Sequence, residues 1–280
     1  MTDGKKSRCA VTGANGYLGS RVVRRFRSGG WEVVEMARSG PSATHYSLDA
    51  PPPPEALENV DALIHCAYDF RTGTSSAFQT TNVDGSVRLL KAAWAKSVKT
   101  IIFISSMAAY DGCKSHYGSG KLAVEREAAK LDAVIVRPGM IYGKNAGGIL
   151  ASLHKAASKL PVVPLIGDGR YPLFTVHEED LCELLFDLAM GRVDRKLISA
   201  AASQTVPFRQ MIKDLASAAG RKPFLLPVPW RIPFYGLRAI EAVGVRIGFR
   251  SDSIVSLVEA NPHPAFTMEG RFRNFSVADL

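Results

Sequence analysis

Short continuous apolar runs alternate along the chain with segments whose apolar residues recur at helical spacing. The runs at 8–12, 31–37, 61–67, the β-branched 100–106, and 133–137 predict strands, with 44–49 as a further one. Between them, 17–28, 75–97 and 117–131 carry the 3.6-residue period of helices. The first helix stops at Gly29-Gly30, and the stiff Pro51–Pro54 connector leads into a short helix at 55–59. Strands alternating with helices imply a mostly parallel, doubly wound α/β sheet covered on both faces. Ligands of such sheets bind beyond the carboxyl ends of the strands.

After residue 143 the rhythm loosens. Helices are predicted at 148–159, 178–190, 207–219, 235–243 and 252–260, and a strand at 162–166. The segment 223–234, PFLLPVPWRIPF, mixes proline with apolar residues. The expected organisation is a core at 1–145, then a mixed region at 146–280 that completes the sheet and forms a smaller substrate-binding lobe.

Composition narrows the function classes. With 280 residues and 46% apolar content the chain is an ordinary globular protein. No apolar stretch is long enough for a transmembrane helix, and the run after the polar, basic Met1–Arg8 is too short for a signal peptide. A cytoplasmic location without stable membrane insertion is the expectation. Cys9, Cys66, Cys113 and Cys182 form no C-x-x-C pair and have no His at metal spacing, so reduced thiols and no metal are expected. The net charge of +9 raises nucleic acid as a partner. The basic residues are scattered, however, and Arg21, Arg24, Arg25 and Arg27 read as one solvent face of a helix. No nucleic-acid motif accompanies them, and the expected partner is a small molecule.

The candidate chemistry begins at TGANGYLG, residues 12–19, between the first strand and the first helix. Gly13, Gly16 and Gly19 permit a tight turn, close backbone approach to a pyrophosphate, and close packing of helix on strand. The helix N-terminus then offers free N–H groups and a positive dipole end. The expectation is a dinucleotide site of Rossmann type, with Asn15, Tyr17 and Leu18 in the same loop. At the end of the second strand, where NAD enzymes place an acid, Ala37 is followed by Arg38. Arg38 either holds a 2′-phosphate, stacks on adenine, or is a solvated loop residue. The expected cofactor is therefore NADP or NAD, with NADP slightly favoured. Asp49, followed by Ala50, is placed to accept a hydrogen bond from the adenine amino group.

Tyr117 and Lys121 stand at i, i+4 at the head of a helix, on one face. A tyrosine hydroxyl is a poor base at neutral pH unless a nearby cation stabilises the phenolate. With such a cation it can take a proton from a hydroxyl or give one to a carbonyl. Ser106, at the end of the preceding strand, can bond the same oxygen.

Taken in order, TGANGYLG (12–19), DALIHCA (61–67), NVDGS (82–86), ISSMAAY (104–110), YGSGK (117–121), RPGMIYG (137–143) and FTVHEED (174–180) resemble the extended short-chain dehydrogenase/reductases, or NAD-dependent epimerase/dehydratase family. The resemblance implies that Ser106 steadies the substrate oxygen, Tyr117 is the acid/base, and Lys121 lowers the tyrosine pKa while holding the nicotinamide ribose. It also implies that Pro138, Gly139 and Ile141 line the nicotinamide, that Ala67 borders the cofactor, and that Asn82 supports the neighbouring helix. His177 and Asp180 become scaffold residues at the start of the next helix, and a homodimer is a possible assembly. The chain departs from the family pattern in three places. Ala37 replaces the acid, only Asp111–His116 separate Tyr110 from Tyr117, and Leu173 stands where many nucleotide-sugar enzymes have an arginine, with Arg170 as the nearest substitute. The leading expectation is an NAD(P)-dependent oxidoreductase interconverting hydroxyl and carbonyl. A nucleotide-sugar epimerase/dehydratase is the alternative, and a cofactor-binding sensor or structural subunit is the alternative of another class. An interfacial helix within 223–249, bearing Arg231, Arg238, Arg246 and Arg250, is weighed against a substrate lid or core helix, which the prolines favour.

Overall fold

The computed structural model describes residues 6–72, 74–245 and 249–280, so Arg246 lies outside the described residues. The chain forms two compact units. The first comprises 1–105, 120–137 and 178–198; the second comprises 106–119, 138–177 and 199–280.

The expected central sheet is present and has seven strands. Its spatial order is Leu197–Ala200, Val134–Pro138, Thr100–Ile104, Ala62–His65, Arg8–Thr12, Glu32–Ala37, Thr44–His45. The pairings from Thr100–Ile104 through Ala62–His65, Arg8–Thr12 and Glu32–Ala37 to Thr44–His45 are parallel, as is Thr100–Ile104 with Val134–Pro138. This is a doubly wound Rossmann-type α/β fold. The third strand is only two residues long, not 44–49, because Pro41 and the Ser47–Ala50 turn bound it. The strand Leu197–Ala200 was not visible as a periodic run; four residues lack a pattern that separates them from a loop.

In the first unit one sheet face packs Ala10, Met36, Leu63, Phe103 and Ile135 against Leu89, Leu90 and Ala93 of helix Gly85–Ala95 and Val124 and Ala128 of helix His116–Lys130. Elsewhere in this unit helix Tyr17–Ser28 packs beside helix Glu178–Ala189 through an edge-to-face cluster of Phe26, Trp31 and Phe186. Truncating one such ring would cost about 3–5 kcal/mol. The arginine stripe expected to face solvent does so only in part. Arg21 pairs with Glu178 and Arg25 with Glu183 at 2.6 Å, because a neighbouring helix rich in acids lies alongside, and Arg27 pairs with Glu35 of strand Glu32–Ala37 at 2.6 Å. The predicted helix 75–97 is broken by a π-helical stretch at Gln79–Asp84.

The second unit has its own core of Leu150, Leu165, Phe208, Met211, Ile212 and Ile254. Strand Val162–Ile166 pairs in parallel with Phe224–Val228, which lies inside the proline-rich segment. Helix Arg231–Ala242 follows, with Pro233 tolerated in its first turn, where the proline nitrogen has no helical partner to lose. The expected helices 235–243 and 252–260 are thus Arg231–Ala242 and Ser251–Val258. A fully buried core helix does not form in this stretch. Phe224, Leu226, Ile232 and Tyr235 are exposed, and no residue of helix Arg231–Ala242 is buried.

Candidate active site

The glycine loop is built as the sequence requires. Gly13 has a φ of +67°, a left-handed conformation that other residues resist, and a Cβ there would press on the Ala67 backbone. A Cβ on Gly19 would overlap the Gly13 carbonyl, so only glycine lets the helix start this close to the loop. The helix opens at Gly16 with no side-chain cap and no acid in its first turn. Its leading N–H groups therefore suit an anion. Such a cradle has the close backbone approach and the free N–H groups that a phosphate group needs. The Tyr17 hydroxyl donates to Glu178. Burial and the Glu178 bond push that hydroxyl well above its ordinary pKa.

A side-chain chain of hydrogen bonds missed from the sequence holds Ala67 beside this loop. The Ala67 N–H donates to Thr12 Oγ1 at 3.2 Å, and Thr12 Oγ1 lies 2.7 Å from His65 Nδ1. On the other side, His65 Nε2 is 2.9 Å from Ser86 Oγ, whose own hydrogen goes to the Asn82 carbonyl at 2.6 Å. Ser86 can then only accept from Nε2–H, so Nδ1 accepts from Thr12 and the imidazole is neutral. Burial, then the Lys121 charge, lower the His65 pKa to about 3. The Asn82 side chain accepts from Asp69 N–H at 2.8 Å and donates to Asp69 O at 2.9 Å, tying down the loop after Ala67.

Arg38 is not a free loop arginine. Its Nη1 is 3.0 Å from Asp69 Oδ2, and Arg71 holds the same carboxylate at 2.8 Å. Two exposed guanidiniums over one carboxylate leave net positive charge at the end of the second strand. Asp49 and Ala50 are exposed beside the third strand, and Asp49 accepts from Thr81 Oγ1 at 2.6 Å. A cavity of about 500 Å³ opens next to the glycine loop, lined by Ala14, Asn15, Ser20, Arg24 and Arg27 among others.

Lys121 is buried in the first unit. Its Nζ donates to the Ile104 carbonyl at 2.7 Å and sits 5.0 Å and 4.8 Å over the rings of Tyr68 and Phe103. Burial lowers its pKa to about 8, against the pull of Cys66 and Glu125, and it stays mostly a cation at neutral pH. The two strand-end serines divide their work. Ser105 donates to buried Glu125, itself paired with Arg137, while Ser106 belongs to the second unit.

In that unit Ser106 is hydrogen-bonded to Tyr117. Burial raises the Tyr117 pKa and the Ser106 bond pulls it back. Tyr117 and Lys121 share helix His116–Lys130, one turn apart. The helix start is fixed from two directions. Ser115 Oγ accepts from Gly118 N–H at 3.0 Å, and the Asp252 carboxylate accepts from the N–H groups of His116 at 2.8 Å and Tyr117 at 2.9 Å. Gly118 is required because a Cβ would overlap the Ala108 carbonyl. The short 111–116 loop is anchored too: Tyr110 OH donates to Glu259 O at 2.7 Å and Lys114 pairs with Glu259 at 3.1 Å. No sequence signal exposed Asp252 or Glu259 in these roles.

Also in the second unit, Pro138 O accepts from Met107 N–H, Gly139 N–H donates to Ala200 O, and Ile141 pairs with Val176 in the parallel strands Met140–Tyr142 and Thr175–His177. His177 packs edge-on against Tyr142 at 5.1 Å, a scaffold contact. Arg170 is a turn residue, its side chain 87% exposed and paired with Asp168, while Leu173 is buried. All four cysteines are free, and no metal-binding cluster of His, Cys, Asp or Glu occurs among the described residues.

The first unit thus carries a glycine cradle opening a helix beside a parallel sheet, and the second a serine–tyrosine pair. Residues 9–196 match the model of the NAD dependent epimerase/dehydratase family, and the chain belongs to that family. It is 28% identical over 237 residues to the ceramide reductase of Caulobacter vibrioides, covering 79% of this chain and 73% of that protein. It is 26% identical over 274 residues to the UDP-glucose 4-epimerase of Vibrio cholerae, covering 81% and 80%. Against an uncharacterized Mycobacterium tuberculosis protein the identity is 30% over 225 residues, 76% of this chain but 23% of that one. Among solved structures, MoeE5 in complex with UDP-glucose and NAD superposes with a TM-score of 0.69 at 23% identity, over 90% of this chain and 98% of that one. The Thermus thermophilus UDP-glucose 4-epimerase complex with NAD gives 0.65 at 21%, over 90% and 97%. These likenesses show the fold.

Proposed function

We propose that the chain is an NADP(H)-preferring reductase that converts a ketone to a secondary alcohol, and the reverse, on a substrate with a sizeable apolar body. The observation that carries the reading is the Ser106–Tyr117 hydrogen bond at a helix start fixed by Asp252, with Lys121 one turn along. When bound, the cofactor would supply or accept the hydride. Gly13, Asn15, Gly16, Tyr17 (through its main chain), Leu18 and Gly19 would hold its pyrophosphate. Arg38 would hold the 2′-phosphate, Asp49 and Ala50 would meet the adenine, and Ala67, Pro138, Gly139 and Ile141 would border the rest. Tyr117 stays protonated in the free protein, which suits it to give a proton to a carbonyl oxygen. Ser106 shares that oxygen. Lys121 remains a cation at neutral pH and favours the tyrosinate left behind.

Two observations favour an apolar substrate body. A cavity of about 410 Å³ in the second unit is lined by Tyr171, Phe174, Leu257, Pro262 and Phe266 among others. One relative carries a ceramide in its name. The exposed, Asp168-paired Arg170 and buried Leu173 offer no fixed guanidinium for a diphosphate, which would otherwise be costly to desolvate. The second reading, a nucleotide-sugar epimerase, rests on the Vibrio cholerae relative.

The test pairs a panel of long-chain ketones and UDP-, GDP- and dTDP-sugars with wild type and Tyr117→Phe. Wild type is expected to oxidise NADPH with a long-chain ketone, and Tyr117→Phe to lose roughly 10²–10⁴-fold in kcat with unchanged cofactor affinity. Micromolar binding and epimerisation of a sugar nucleotide would replace this reading by the second. Full turnover by Tyr117→Phe would remove Tyr117 as the acid.

A further inference from the structure

The second unit carries an apolar surface that its own core does not use. Helix Arg231–Ala242 turns Phe234 and Leu237 inward, against the core of Leu150, Leu165 and Met211. Helical spacing puts Ile232, Tyr235, Ala239 and Val243 together on the opposite side. That side faces solvent: Ile232 is 63% exposed, Tyr235 66% and Val243 77%. The strand leading into the helix repeats the pattern. Phe224, 65% exposed, lies opposite Val162, 44% exposed, while Val163 and Leu165 on the other face are buried. Only Pro229 and Trp230 separate strand from helix.

The segments that build this surface are predominantly positive. Segments 148–166 and 221–245 contain six exposed cations, Lys155, Lys159, Arg221, Lys222, Arg231 and Arg238. Their one acid is Glu241, whose carboxylate accepts from the Ser251 N–H and hydroxyl at 2.9 and 2.7 Å. Asp168, the next acid after the first segment, is bridged by Arg170 at 3.2 Å. Six cations less one acid make these segments +5 of the chain's +9.

We infer that this face docks on an anionic lipid bilayer, with helix Arg231–Ala242 lying flat in the headgroup region, its apolar side down and Arg231 and Arg238 beside the phosphates. An exposed apolar stripe flanked by arginines on a helix far too short to span is the signature of interfacial binding. Two copies meeting through the same face would oppose cation to cation, whereas an anionic surface supplies the missing charge. The inference does not rest on the proposed reaction.

Flotation of the full chain with phosphatidylcholine vesicles, with and without phosphatidylglycerol, tests it. Co-flotation is expected with phosphatidylglycerol, weaker with phosphatidylcholine alone and weaker at high salt. The double variant Ile232→Asp/Val243→Asp should reduce partitioning by roughly tenfold or more, with cofactor affinity and thermal midpoint retained because both side chains are exposed. Arg231→Glu/Arg238→Glu should abolish the preference for phosphatidylglycerol. Absence of flotation with either vesicle overturns the inference, as does flotation that the Asp variant leaves unchanged. A dimer in analytical ultracentrifugation that the same Asp variant dissociates would give the face to a second copy and overturn it as well.

Discussion

Arg38 shows how one side chain can be legible and still incomplete. Its place after Ala37 was readable, and so was its suitability for a 2′-phosphate. The Asp69 carboxylate that it shares with Arg71 was not, because that contact joins the ends of two strands 31 residues apart. A phosphate would compete with Asp69 for a guanidinium already preorganised at 3.0 Å. Arg38→Ala is therefore expected to weaken NADP(H) binding by roughly tenfold or more and to change NAD(H) binding little. Calorimetry with both cofactors decides it; equal losses for the two would remove the 2′-phosphate role.

At the scale of elements, His65 binds strand to strand and strand to helix through Thr12 and Ser86. Its folded pKa of about 3 lies below the unfolded value of 6.5. Between these values the unfolded chain binds the extra proton, so stability is full above pH 6.5 and falls as pH drops toward 3. Down to pH 4.5 the loss from this group alone is about 3 kcal/mol. Urea unfolding at pH 7 and pH 4.5 should show His65→Gln less stable at pH 7 but distinctly less acid-sensitive. An equally steep acid loss in the variant would show that His65 is not the titrating group. The sequence placed Thr12 and His65 in strand runs, and nothing in that pattern announced that they were partners.

For the molecule as a whole, a cofactor that binds only the folded chain must stabilise it, by about 2.7 kcal/mol at a hundred times its Kd. Thermal unfolding with equal concentrations of NADP(H) and NAD(H) should raise the midpoint by several degrees with the first and by less with the second. No shift with either would contradict the cofactor assignment at the glycine cradle. Among the described residues no helix is long and apolar enough to cross a membrane.

What the sequence by itself determined was local. A strand period, a glycine that accepts φ of +67° without strain, and an i, i+4 spacing are set by backbone geometry within a few residues, which is why the sheet, the glycine loop and the Tyr117–Lys121 pair were readable. The tertiary structure decided whatever joins distant segments. Asp252 reaches the Tyr117 amide across 135 positions, Tyr17 gives its hydroxyl to Glu178 across 161, and two of four arginines in one stripe turn to a neighbouring helix. It also decided which apolar residues are core, since Phe224 and Ile232 look no different from Leu225 and Phe234 until packing chooses between them. The reason is that burial and pairing depend on what the folded chain brings alongside a residue, and sequence periodicity carries only the direction in which its side chain points.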